Sequence, residues 1–198
     1  MRKRLLSAGA ALVTLFAVLM SGPGTVSAAT PGAAAGFAAR AQAAGLPAAQ
    51  VQSTQRQVQA FIKRYGGRQV ALNLVVFRGG SMLFAVPGRQ ASAVANASAG
   101  TRVAPVVSST CPVTAFCAWG QIDYAGSRAA FYACGIDYTN PWAGVVFGSW
   151  KNDQTPQGPS GPRVKFLYSD KTVVATTPPP WAGNTEYYWN NVYYFRVC

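Results

Sequence analysis

The apolar positions change rhythm along this chain, and each change marks a boundary. Leu5 to Met20 is an uncharged stretch of apolar and small residues, preceded by Arg2, Lys3 and Arg4. Residues 30–46 are rich in Ala and Gly with almost no large apolar side chain, the pattern of a flexible linker. From Pro47 the apolar residues Val51, Val58, Phe61, Ile62 and Tyr65 fall on one helical face. Pro47 suits the first turn of that helix and Gly66-Gly67 its end. Gln69 to Phe77 then reads as a strand, Gly79-Gly80 as a hairpin turn, and Ser81 to Val86 as the returning strand. This helix plus hairpin, spanning 47–88, is too small to bury a good core alone. It is expected either to pack on a later module or to be removed as a pro-segment. Residues 89–110 are Ala-, Ser- and Val-rich without a period, and read as an interdomain linker.

At Cys111 the texture changes again. Short apolar or aromatic runs (Ala115–Trp119, Ala129–Cys134, Gly144–Trp150, Val164–Tyr168, Thr172–Ala175, Val192–Val197) alternate with Gly, Pro, Asn and Asp turn signals, among them Gly183-Asn184. Many short strands at roughly even spacing predict a β-sandwich or small barrel over 111–198. Within it, Trp119 and Tyr124 bracket four residues and Gly126 follows, which predicts a folded-over hairpin with one ring against the other.

The N-terminus changes the compartment. A basic start, an apolar stretch and the small residues Val26-Ser27-Ala28 describe a signal peptide over 1–29. A membrane anchor competes with it, but the apolar run is at the short end for a span. No membrane span is expected once the signal is removed. Cys111, Cys117, Cys134 and Cys198 all lie in the last module, an even count that in an exported chain reads as two disulfides. The chain has no His, and the cysteine spacings are not those of a zinc site.

Charge is divided unevenly. The net charge is +12, but residues 30–110 carry eight bases and no acid, while 111–198 carry six bases against five acids. A nucleic-acid module would concentrate its charge on the folded domain with aromatic interleaving, so nucleic acid is not an expected partner. Without His, Ser-His-Asp and Cys-His machinery and His-based proton transfer are removed. Asp123, Asp137 and Glu186 remain as carboxylates, each in or beside a turn signal where acids are common. A binding protein is favoured over an enzyme.

The pattern Trp119-x4-Tyr124-x-Gly126, followed by the strand Ala129–Tyr132 and by Ser149-Trp150, resembles a βγ-crystallin Greek-key unit. In that family the aromatic pair and Gly make the folded hairpin and a later Ser caps it. Cys111-Pro112, Phe116-Cys117-Ala118-Trp119, Phe131-Tyr132-x-Cys134, Ser149-Trp150-x-Asn152-Asp153-Gln154-Thr155 and a terminal aromatic strand ending in Cys198 narrow the likeness. Together they resemble the exported actinobacterial βγ-crystallin-like domains of the Streptomyces metalloproteinase inhibitor-like family. The helix and hairpin before them, with Gly66-Gly67, Gln69-Val70-Ala71-Leu72-Asn73 and Gly79-Gly80, are similar to the N-terminal extension many such proteins carry. A second aromatic-x4-aromatic-x-Gly pattern is absent, so duplication of the unit is not evident in the sequence.

Four cysteines allow three pairings, of which Cys111–Cys117 with Cys134–Cys198 is favoured. The resemblance implies a secreted inhibitor of a thermolysin-like protease, acting through a rigid loop. Thr176, Thr177, Pro178, Pro179, Pro180 and Trp181 form the candidate loop, because a Pro-rich stretch ending in Trp is stiff and preorganised. The segment from Asn152 to Pro162 is a second candidate. The alternative is a non-inhibitory module that binds calcium, a cell wall or a competitor microbe. Crystallin-type calcium sites pair Asp or Asn with Ser or Thr, so Asn152, Asp153 and Thr155 are the calcium candidates, with Asp153 the sole carboxylate. Turn formation is the competing role for those three. No other cofactor is expected. Most of the aromatic residues are expected in the core. A further reading makes 30–110 a basic pro-segment that docks on anionic envelope polymers until it is cleaved.

Overall fold

A computed structural model describes residues 31–86, 109–156 and 158–198. The expected signal peptide and nearly all of the expected 89–110 linker lie outside these residues. Among the described residues no helix is long and apolar enough to cross a membrane. Two helices, α1 (Pro31–Ala43) and α2 (Ala48–Tyr65), precede eleven strands. In order these are β1 (Arg68–Ala71), β2 (Leu74–Phe77), β3 (Gly80–Leu83), β4 (Phe116–Trp119), β5 (Arg128–Phe131) and β6 (Asp137–Thr139). They continue as β7 (Gly148–Asn152), β8 (Lys165–Leu167), β9 (Val173–Thr176), β10 (Ala182–Tyr187) and β11 (Tyr194–Arg196).

The strands form two antiparallel sheets, ordered β1-β2-β3-β5-β4-β7-β10 and β6-β11-β8-β9. Rings from the two sheets meet between them. Phe116 of β4 lies 5.8 Å from Phe166 of β8 and 5.3 Å from Phe195 of β11, centroid to centroid. Trp150 of β7 meets Phe166 at 5.9 Å, and Phe131 of β5 meets Phe195 at 5.5 Å. The result is an all-β sandwich with an aromatic centre, and burial of rings this large dominates the energetics of such a core.

Adding four to each strand number, with β10 returning to β6, converts β5-β4-β7-β10 into β9-β8-β11-β6. The second sheet therefore repeats the connectivity of the first, each unit lending its third strand to the other sheet. This repeat was not evident in the sequence. In the first unit the chain between β4 and β5 is long and folds over. Trp119 and Tyr124 have centroids 5.1 Å apart at 59°, a tilted contact rather than a parallel stack. Ser149 of β7 holds this fold. Its Oγ donates to the Gln121 carbonyl at 2.8 Å and accepts the Tyr124 N–H at 2.9 Å. Gly126 has φ +77°, where a Cβ would also crowd the Gln121 side chain. Between β8 and β9 a tight turn stands instead. Tyr168 N–H bonds the Thr172 carbonyl at 2.9 Å, and the Asp170 carboxylate accepts the Thr172 N–H at 2.9 Å. A turn this short has no room for the aromatic pair, which is why the motif occurs once.

The N-terminal part differs most from expectation. Residues 30–46, read as a linker, contain α1. Ala is the strongest helix former, so this Ala-rich stretch is helical without an apolar stripe. Phe37, Ala38 and Ala41 suffice to dock it on Leu46, Val51, Leu72 and Val86. The expected single strand Gln69–Phe77 is two strands, β1 and β2, paired antiparallel about a turn at Leu72-Asn73. Asn73 fixes this turn by donating its side-chain amide to the Phe84 carbonyl at 2.9 Å. β6 and β10 had no apolar run to mark them, and Gly183-Asn184, read as a turn, lies within β10.

This helix-plus-hairpin is not a separate body. β3 pairs with β5 through Gly80–Phe131, Ser81–Ala130, Met82–Ala129 and Leu83–Arg128. Val58 and Phe61 of α2, with Val75, Met82 and Phe84, share one buried cluster with Phe116, Phe131, Phe166 and Phe195. The small extension thus obtains its core from the sandwich, and the sandwich has its β5 edge covered.

The cysteines pair as Cys111–Cys117 and Cys134–Cys198, with Cα separations of 5.7 and 5.0 Å, inside the normal range. The first joins the entry segment to β4, and the second ties the last residue to the loop after β5.

Candidate functional site

Two loops meet at one end of the first sheet, one leaving it from β7 and the other entering it at β10. One follows β7 and runs from Asp153 to Pro162, and the other follows β9 and runs from Thr177 to Trp181. They lie together because β10 pairs with β7, placing Ala182 opposite Asn152. The two stretches singled out from the sequence, Thr176–Trp181 and Asn152–Pro162, are therefore neighbours.

Asn152 joins them. It is fully buried. Its side-chain amide lies 3.0 Å from the Pro162 carbonyl, 3.3 Å from the Pro178 carbonyl and 3.4 Å from Thr177 Oγ1. An amide has two hydrogens, so these three acceptors share two donors. The Asn152 main-chain carbonyl accepts the Trp181 N–H at 2.6 Å. One residue thus holds the end of the first loop and both shoulders of the second. Asn152 and Thr177 are buried and the contacts to Pro162 and Pro178 are partly so, so losing the amide would remove bonds that solvent replaces only in part.

Thr177 is the other fixed point. It is buried, and its Oγ1 accepts the Val164 N–H at 3.0 Å while its own N–H donates to the Val164 carbonyl at 2.9 Å. Pro180 is buried as well, and Gly161 abuts it, because a Cβ at 161 would collide with the Pro180 ring and the Pro156 carbonyl. Both disulfides border the base of the first loop. Gln154 Nε2 lies 2.9 Å from Cys198 Sγ, and Cys111 Sγ lies 3.9 Å from the Lys151 carbonyl.

Above this base the second loop is open. Thr176 and Pro178 are exposed, Pro179 is half-buried, and Trp181 is 70 % exposed. Trp181 has φ +73°, a left-handed conformation that a bulky residue keeps only when its surroundings impose it. The Asn152 carbonyl and the strand that begins at Ala182 impose it here. The arrangement presents a large, amphipathic ring on a backbone already held in place. The other tryptophans, Trp119, Trp142, Trp150 and Trp189, are buried, as expected of core aromatics.

The calcium candidates have other partners. Asn152 is engaged as described, and Asp153 forms an ion pair with Lys151 at 2.9 Å. Thr155 is exposed on the loop beyond. Among the described residues no group of three or more His, Cys, Asp or Glu could hold a metal ion. Trp119, Tyr124, Gly126 and Ser149 are brought together, but as the folded hairpin rather than as part of the loop pair.

Sequence reasoning named Asn152 for its oxygen, whereas its amide nitrogen organises the loops. Thr177 was legible only as part of the Pro-rich loop, and Gln154 and Gly161 only as part of the second segment; their contacts carried no signal, since the partners are distant in sequence. Compared with family models, with curated proteins and with solved structures, the chain finds no match.

Proposed function

We propose that this is a secreted binding protein of the proteinase-inhibitor type, a βγ-crystallin-like sandwich that offers the Thr176–Trp181 loop to the cleft of a secreted metalloproteinase. The observation that carries the reading is the knitting of two loops by Asn152 beneath an exposed Trp181. A loop held before binding loses little conformational freedom on binding, and it would keep the ends of a cleaved bond in place. Two disulfides suit an oxidising compartment and brace the base of the loops. The repeated four-strand connectivity supports the crystallin-like Greek-key assignment.

The test uses residues 30–198, because the extension shares the core. Purified protein is titrated against a thermolysin-type protease with a peptide substrate. Inhibition is expected at micromolar protein or below, and Trp181→Ala should weaken it by about tenfold or more, as an aromatic anchor does, without changing thermal stability. Absence of inhibition at micromolar concentration, or an unaltered inhibition constant for the variant, overturns the reading. The non-inhibitory, calcium-binding alternative is separated by calorimetric titration with calcium, where heat that disappears in Asp153→Asn would support it.

A further inference from the structure

A second recess lies away from the loop pair, where the extension meets the sandwich. It has a volume of about 210 Å³ and is partly enclosed. Its walls come from α2 (Phe61, Tyr65), β2 (Phe77), β5 (Phe131) and β6 (Tyr138), with Arg78 at its edge. The rings pack against one another: Phe61 and Phe77 at 5.8 Å, Phe77 and Tyr138 at 6.4 Å, and Phe131 and Tyr138 at 4.7 Å. Tyr138 is locked in this wall, since its hydroxyl lies 3.1 Å from the Gly79 carbonyl and 3.2 Å from the Ala133 carbonyl. The walls are therefore rigid, apolar and aromatic, and the space suits one ring-bearing molecule rather than a drug-sized ligand.

The polar groups at the opening select among such molecules. Asp137 also borders the recess, but its carboxylate is already taken. Arg196 Nε and Nη2 lie 2.6 and 3.0 Å from its two oxygens, and Lys171 Nζ lies 3.2 Å away. Arg78 is exposed. With the one lining carboxylate paired to Arg196 and Lys171, Arg78 is the lining cation left without an ion pair among the described residues. We propose that this recess is a binding site for a small aromatic carboxylate, its ring held among Phe61, Phe77, Phe131 and Tyr138 and its carboxylate paired with Arg78. A guanidinium presents two parallel donors that match a carboxylate, and ring-on-ring contact supplies the rest of the affinity.

The test is an NMR titration of residues 30–198 with 3-phenylpropionate and, separately, with the uncharged 3-phenylpropanol. The acid is expected to shift the amides of Phe77, Arg78, Ile136 and Thr139 saturably and to bind about two- to fivefold tighter than the alcohol, the gain of an ion pair at an exposed guanidinium. Arg78→Gln should bring the acid to the level of the alcohol while leaving the alcohol's own binding unchanged, which shows that the recess persists in the variant. Equal affinity for acid and alcohol in the unmodified protein overturns the proposal, as do shifts confined to other residues or a lack of saturation by about 10 mM, where binding is weaker than about 3 kcal/mol. Protease inhibition has no part in these readouts, so the loop reading and this one fail independently.

Discussion

The β4–β5 and β8–β9 hairpins hold equivalent places in two units with the same connectivity, yet they are built differently. The first is long, folded over and pinned by Ser149; the second is a tight turn closed by Asp170 and Thr172. Their outer edges differ too. β5 is covered by β3, whereas β9 ends its sheet with Val173 51 % exposed. One topology has thus been stabilised in one unit by a long loop and added strands, and in the other by a short turn and an open edge. Connectivity and aromatic packing are common to both, and the details of loop and edge are not.

The largest contrast to test is the covered edge. A chain beginning at residue 109 should lose its cooperative thermal transition and associate, because β5 would expose a row of unpaired backbone groups beside Phe131 and Ala129. The chain beginning at residue 30 should melt in one step. Circular dichroism melts with size-exclusion chromatography read both. A monomeric short chain with an unchanged melting temperature would support the reading of residues 47–88 as a removable pro-segment. A cut between residues 86 and 109 alone would leave β3 still paired with β5.

The two turns come next. Trp119 is fully buried under its hairpin, and Trp119→Ala should cost about 3–5 kcal/mol, the usual range for removing a large buried ring. Ser149→Ala removes a hydroxyl that bonds at both ends and should cost about 1–3 kcal/mol. In the second unit Tyr168 is 40 % exposed at its turn, so Tyr168→Ala should stay below about 1 kcal/mol, as surface substitutions do. Urea unfolding of the three variants would order them. Equal losses in both units would mean that the folded hairpin has no special weight.

What could be read from the sequence follows the same division. Short apolar or aromatic runs and Gly/Pro punctuation marked the sandwich and most of its strands, and an even cysteine count its two disulfides. The Trp119–Gly126 hairpin was visible because its residues are close in sequence. Pairing of β3 with β5 was not visible, since it joins residues some fifty positions apart across a segment without period. α1 was missed because Ala supplies helix propensity without an amphipathic stripe, and the turn at Leu72-Asn73 was hidden because Asn73 is a single polar residue between two apolar runs. At the loop pair, Trp181 and the prolines were legible as a stiff, exposed stretch. The role of Asn152 was not, because hydrogen bonds to Pro162, Thr177 and Pro178 depend on how β7 and β10 align.

The smallest expected effect lies where the two units are tied by charge. Asp137 belongs to the first unit, and its partners Arg196 and Lys171 belong to the second. The hydrogen bond from Arg196, aided by that from Lys171, holds the Asp137 carboxyl below the ordinary aspartate range, burial opposing it. A carboxylate with a depressed folded pKa binds its proton more readily in the unfolded chain. Its contribution is therefore complete above the unfolded value, near about 4, and is lost as pH falls through the folded value. Stability measured by urea unfolding should thus decline below about pH 4 more steeply in the unmodified protein than in Asp137→Asn, and the two curves should run parallel above about pH 5. Both basic partners are partly exposed, so the gap should be small and should narrow as salt is added. Parallel curves throughout would mean that the two units are joined by their aromatic core and strand exchange alone.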